Sequence, residues 1–136
     1  MYTVSKSFSF CYGHRLFNDS GKCRHLHGHS SKATIVLSGK SLDDNGMVFH
    51  FDRLKETIGR WIAENLDHTM LIFEKDPIGH VLEEAGEKFR TVKDNPTAEN
   101  IARMIFDASS DFGLPVHRVE VWESETAKAA YEKGGA

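Results

Sequence analysis

Between Tyr2 and His14 the side chains alternate: Tyr2, Val4, Lys6, Phe8, Phe10, Tyr12 and His14 on one side, mostly threonine, serine, cysteine and glycine on the other. A period of two describes a β-strand with one buried face. The same rhythm returns at His27, His29, Ser31, Ala33, Ile35 and Leu37, against Ser30, Lys32, Thr34, Val36 and Ser38. Two long alternating stretches commit the chain to a sheet. Paired as a hairpin, they bring His14 alongside the other two histidines on one apolar face.

The rest of the pattern is mixed. Asp43 to Gly46, "DDNG", is a turn signal. Leu54, Ile58, Trp61, Ile62 and Leu66 then recur at helical spacing, with Asp52 placed to cap that helix. A second helix is expected after Pro96, capped by Thr97 and carrying Ile101, Met104, Ile105, Ala108 and Phe112 until "GLP" at Gly113 stops it. Val119, Val121 and Glu123 share one face of a further strand, and a short last strand is expected over Ala129 to Glu132. Residues 71–95 read less clearly, as a short helix and an extended stretch around Gly86. Strands, then helices, then strands describe one α+β domain over residues 1–136, with an antiparallel sheet.

A chain of 136 residues can bury a core of its own without disulfides or a metal. Its 17 basic and 20 acidic residues leave a net charge of −3, which argues against a nucleic-acid or membrane-surface partner. The opening "MYTVSKSFSF" lacks the apolar core of a secretory leader, and no apolar run reaches membrane length. A cytoplasmic protein with Cys11 and Cys23 as reduced thiols is the expectation.

"CRHLHGH", Cys23 to His29, crowds a thiol and three of the chain's eight histidines at the mouth of the second strand. Zinc takes imidazole nitrogen, and a catalytic site keeps three protein ligands and one open position. His27 and His29, two apart on a strand, point the same way, roughly 6.5–7 Å apart along the chain, and His14 can complete a tripod. Gly28 between them permits close approach of backbone or substrate. Two metal readings stand at this point: an open His14–His27–His29 site, or a closed structural one with Cys23 as fourth ligand. Glu123, sharing a face with two valines, needs a polar partner. Asp67 and His68 by themselves suit a helix end.

"FSFCYGHRL", "CRHLHGH", "LDHTML", "NPTAEN" and "VWESETAKAAY" occur in that order from about Phe8 to Tyr131. Together they resemble the 6-pyruvoyl-tetrahydropterin synthase and 6-carboxy-tetrahydropterin synthase family. The resemblance implies the tunnelling fold (T-fold): a four-stranded antiparallel sheet with two helices on one face, assembling into a barrel. It implies a homohexamer of two stacked trimers with active sites between subunits. It makes His14, His27 and His29 the Zn2+ ligands, Cys23 the catalytic thiol, and Asp67 and His68 its relay partners. Glu123 becomes the anchor of the pterin ring, and Thr97 matches a pterin-contacting threonine. The implied activity is that of a zinc-dependent lyase. It converts 7,8-dihydroneopterin triphosphate to 6-carboxy-5,6,7,8-tetrahydropterin, with loss of acetaldehyde and triphosphate, on a route to deazaguanines such as queuosine. The alternatives are 6-pyruvoyl-tetrahydropterin formation by the same residues, and a non-catalytic pterin- or zinc-binding relative. Lys22, Arg24 and His25 are candidates for the triphosphate. Two departures from the family pattern stand out: His50, where many relatives have Asp or Asn, and the longer segment 73–93.

Overall fold

The computed structural model describes residues 1–134. Its centre is the hairpin foreseen from the alternation. Strands β1 (Tyr2–His14) and β2 (His27–Gly39) pair antiparallel along their whole length, from Tyr2 opposite Gly39 to His14 opposite His27. Phe10, Tyr12, Ala33, Ile35 and Leu37 bury their side chains on one face. Ser5, Ser7, Ser9 and Lys32 keep the other face polar and exposed.

The sheet is wider than the expected four strands, and it is mixed. Six strands lie in the order β4-β3-β1-β2-β5-β6. The strands β5 (Val116–Trp122) and β6 (Lys128–Glu132) extend it antiparallel on the β2 side. On the other side β3 (Thr69–Phe73) runs parallel to β1, and β4 (Phe89–Val92) parallel to β3. Both added strands are short, and Leu71 and Ile72 are buried in succession rather than alternately. A strand covered on both faces, as β3 is, loses the period-two signature, and β4 is only four residues long, so this edge read as an indistinct segment. A helix, α3 (Ile78–Glu84), connects β3 to β4.

The first long helix is three consecutive pieces, α1 (Phe51–Leu54), a π turn (Lys55–Gly59) and α2 (Arg60–Asn65). Leu54, Ile58, Ile62 and Leu66 are its buried stripe. Its cap is His50 rather than Asp52: His50 Nδ1 accepts the Asp52 N–H at 3.3 Å, work that Asp or Asn does at such a position. Gly59 explains how closely the helix lies on the sheet, because a Cβ there would come within 2.6 Å of the Phe8 ring. The second, α4 (Ala98–Asp111), is capped by Thr97 as expected, with Asn100 N–H donating to its Oγ1 at 3.1 Å. Phe112, expected inside, is 45% exposed because the helix ends at it. Both helices press on the same sheet face, where Ile58, Ile62, Ile101 and Ile105 meet Ile35, Val119 and Val121 in one core. Among the described residues no helix is long and apolar enough to cross a membrane, and both cysteines are free.

Candidate metal centre

The β1–β2 register sets His14 opposite His27 and Tyr12 opposite His29, so all three imidazoles sit on the helix-covered face. His14 Nε2 lies 3.1 Å from His27 Nε2 and 3.1 Å from His29 Nε2. The far sides of two rings decide what these nitrogens carry. His14 Nδ1 is 2.6 Å from the Pro96 carbonyl oxygen, and His27 Nδ1 is 2.7 Å from that of His25. A carbonyl only accepts, so each Nδ1 holds the ring proton and each neutral ring presents a bare Nε2.

Bare nitrogens this close repel unless a cation lies between them. Metal–nitrogen bonds of ~2.0–2.1 Å in a tetrahedral site put ligand atoms roughly 3.3 Å apart. The donor set therefore fits a zinc-like ion with three protein ligands. Burial holds both His14 and His29 below the ordinary imidazole range. That favours the neutral form that binds metal.

Three further groups border the tripod. Glu123, immediately after β5, places Oε1 3.2 Å from His29 Nε2 and 3.7 Å from His14 Nε2. The partner expected for this carboxylate is thus the tripod itself. Tyr12 sets its ring edge-on to His14, with centroids 5.1 Å apart. Its buried hydroxyl has no hydrogen-bond partner among the described residues. Burial, with Glu123 adding to it, pushes the Tyr12 pKa well above its usual value. Gly28 makes room for backbone, since a Cβ there would lie 3.0 Å from the Tyr12 carbonyl oxygen.

Asp67 and His68 form a second constellation. Asp67 Oδ1 accepts the Cys11 N–H at 2.9 Å, and its Oδ2 lies 3.1 Å from His68 Nδ1. The His68 N–H donates to the Cys11 carbonyl at 2.7 Å. These bonds hold His68 in the left-handed region, φ 55°, a conformation costing roughly 1–2 kcal/mol for a residue with a Cβ. The Cys11 N–H, more than His68, keeps the Asp67 carboxyl below its usual range. His68 is left with its side chain 78% exposed, orienting a largely free imidazole towards the outside.

Cys23 is not part of this pair. It lies half-buried in a 3-10 turn, Lys22–Arg24, whose carbonyl at Cys23 accepts the Leu16 N–H at 2.8 Å. The thiol grouped with Asp67 and His68 is that of Cys11, on the open face of the sheet. Lys22, Arg24 and His25 are exposed on the turn. Thr97 Oγ1 is engaged as the α4 cap. His50 is remote from the tripod: it shares a groove with Tyr2 and Val4 at the start of β1, about 40 Å of extended strand from His14. Sequence reasoning missed two supports. One is the Pro96 carbonyl behind His14. The other is the buried Asp76 carboxylate, which accepts Arg15 Nε–H at 2.7 Å next to that histidine.

A profile of the family described as 6-pyruvoyl tetrahydropterin synthase matches residues 3–134. The chain belongs to that family. Within it, the chain is 38% identical to a 6-carboxy-5,6,7,8-tetrahydropterin synthase of Rickettsia bellii over 75% of both chains. It is 33% identical to the enzyme of the same name from Haemophilus influenzae, over 98% of this chain and 100% of that one. Among solved structures, an uncharacterised Wolinella succinogenes protein superposes with a TM-score of 0.83 at 27% identity, covering 98% of each chain. The 6-pyruvoyl tetrahydropterin synthase of Caenorhabditis elegans shares the fold, with a TM-score of 0.72 at 23% identity over 98% of this chain and 96% of that one.

Proposed function

We propose that this protein is a 6-carboxy-5,6,7,8-tetrahydropterin synthase, a lyase that converts 7,8-dihydroneopterin triphosphate and water to the carboxy-tetrahydropterin, acetaldehyde and triphosphate. The convergence of the His14, His27 and His29 Nε2 atoms beside Glu123 carries the reading. The names of the relatives favour the carboxy product over the pyruvoyl one. His14, His27 and His29 would hold a zinc ion, which when bound would supply Lewis acidity to the hydroxyl-bearing side chain of the substrate.

The remaining roles belong to the chain. Glu123 accepts the N–H edge of the pterin in a two-point contact that fixes its orientation, with Thr97 beside it. Cys23 removes a proton from the substrate side chain, a task suited to a thiolate near a cation. His68, oriented by Asp67, returns protons. Lys22, Arg24 and His25 face the triphosphate. The tripod lies on the covered face of the sheet and the Asp67–His68 pair with Cys11 on the open one. One chain therefore contributes its tripod and Cys23 to one active site and its Asp67–His68 pair to a neighbour's, in a hexamer of two trimers. In this reading the protein works in the cytoplasm, where Cys11 and Cys23 stay reduced, on a route to deazaguanines such as queuosine.

The test is product analysis by mass spectrometry after zinc-loaded protein meets 7,8-dihydroneopterin triphosphate. Acetaldehyde with carboxy-tetrahydropterin is expected. A pyruvoyl product would reassign it to the sister activity, and unchanged substrate at full zinc loading would make it a binding relative. Subunit sharing is tested by refolding Cys23→Ala together with His68→Ala: each alone is inactive, and the mixture regains part of the wild-type rate.

A further inference from the structure

Cys11 is absorbed by none of these roles. Its Sγ, an Asp67 carboxylate oxygen and a His68 ring nitrogen all lie within 4.8 Å of one another, on the sheet face opposite the tripod. Nitrogen, oxygen and sulfur donors in that compass are the ligand types of zinc and its thiophilic neighbours. The groups are held in advance: the Cys11 N–H fixes the carboxylate, and the Cys11 carbonyl fixes the His68 backbone. The surroundings leave room for a fourth ligand. A cleft between Cys11, Ser30, Lys32, Asp67, His68 and Trp122 opens on one side of the cluster.

We propose that Cys11, Asp67 and His68 form a second divalent-metal site, selective for zinc-like ions, and that its occupancy switches off the proton relay. Binding forms a sulfur–metal bond and releases the thiol proton to solvent. No oxidant or reductant is involved. His68 coordinated to a cation cannot pick up a proton, so excess zinc inhibits a protein that needs zinc at its other site. The inhibitory part rests on the proposed lyase function. The binding part does not.

Cobalt(II) separates the two sites, because the tripod offers only nitrogen whereas this site offers a thiolate. Metal-free full-length protein titrated with Co2+ should take up a second equivalent accompanied by a near-ultraviolet sulfur-to-cobalt charge-transfer band. Cys11→Ala should abolish that band and that equivalent, while Cys23→Ala and His14→Ala keep the band. A band that disappears with Cys23 instead, or no band at two equivalents, overturns the site. If the lyase is active, zinc in severalfold excess should inhibit wild type and leave Cys11→Ala uninhibited. Equal inhibition of both would sink the switch even where the band is present.

Discussion

The Pro96 carbonyl oxygen meets His14 Nδ1 at 2.6 Å, joining residues 82 apart in sequence. It sits one residue before the Thr97 cap, so the start of α4 and the orientation of the His14 ring are set by the same turn. Asn100 ties this turn from within the helix, its Nδ2–H donating to the Asn95 carbonyl at 2.9 Å.

Thr97→Ala should therefore lower stability by about 1 kcal/mol, the ordinary cost of a lost cap. It should also weaken zinc binding by about tenfold, because the support behind a ligating histidine has loosened. Thr97→Ser should restore both. Chelator competition on wild type and the two variants gives the affinities, and thermal melts give the stability. A stability loss with unchanged zinc affinity would show that Pro96 is held in place without the cap.

Gly28→Ala addresses the other half of the tripod. The added methyl would lie 3.0 Å from the Tyr12 carbonyl oxygen, a backbone atom that cannot swing aside. Relief requires β2 to lift from β1 between His27 and His29. A cost of roughly 1–3 kcal/mol is expected, along with zinc affinity lower by ten- to a hundredfold. Metal content after dialysis against a weak chelator decides it. Full occupancy in a variant of wild-type stability would mean that the two strands have slack here.

The tripod was readable because strand alternation is a strict rule: once His14, His27 and His29 fall on apolar faces of two strands, pairing brings them together. The helices were readable from Leu54, Ile58, Ile62 and from Ile101, Ile105, each spaced to one face. The parallel edge of the sheet was not. Its strand β3 carries the buried run Leu71–Ile72 without alternation, β4 is only four residues long, and parallel pairing joins segments with no local signal. The Cys11 contacts with Asp67 and His68 were hidden for the same reason, since they follow from Tyr12 pairing with Thr69 across that parallel junction.

Half-buried Arg15 pairs with the buried Asp76 carboxylate next to the site. Burial opposes ionisation of the Asp76 carboxyl, but hydrogen bonds from Arg15 and from the Ile78 N–H outweigh it and hold its pKa below the usual value. The folded state then binds fewer protons than the unfolded one near pH 4, so this contribution is present above that pH and is lost as pH falls through it. Arg15→Ala should cost about 3 kcal/mol at neutral pH, the price of leaving a buried carboxylate unpaired. The difference from wild type should shrink below pH 4. Denaturant unfolding at pH 7 and at pH 3 measures both, and a constant difference would locate the loss in packing rather than charge.

Tyr12→Phe tests the unpartnered hydroxyl directly. A buried O–H with no acceptor costs about 1–3 kcal/mol of desolvation, so its removal should stabilise the metal-free protein by about 1 kcal/mol while the ring keeps its edge-on contact with His14. If the hydroxyl finds its partner on bound substrate beside Glu123, the same variant should show a raised KM at an unaltered zinc affinity. Denaturant unfolding and steady-state kinetics on one preparation read the two effects separately. A destabilised variant would mean that the hydroxyl is already satisfied in the folded protein.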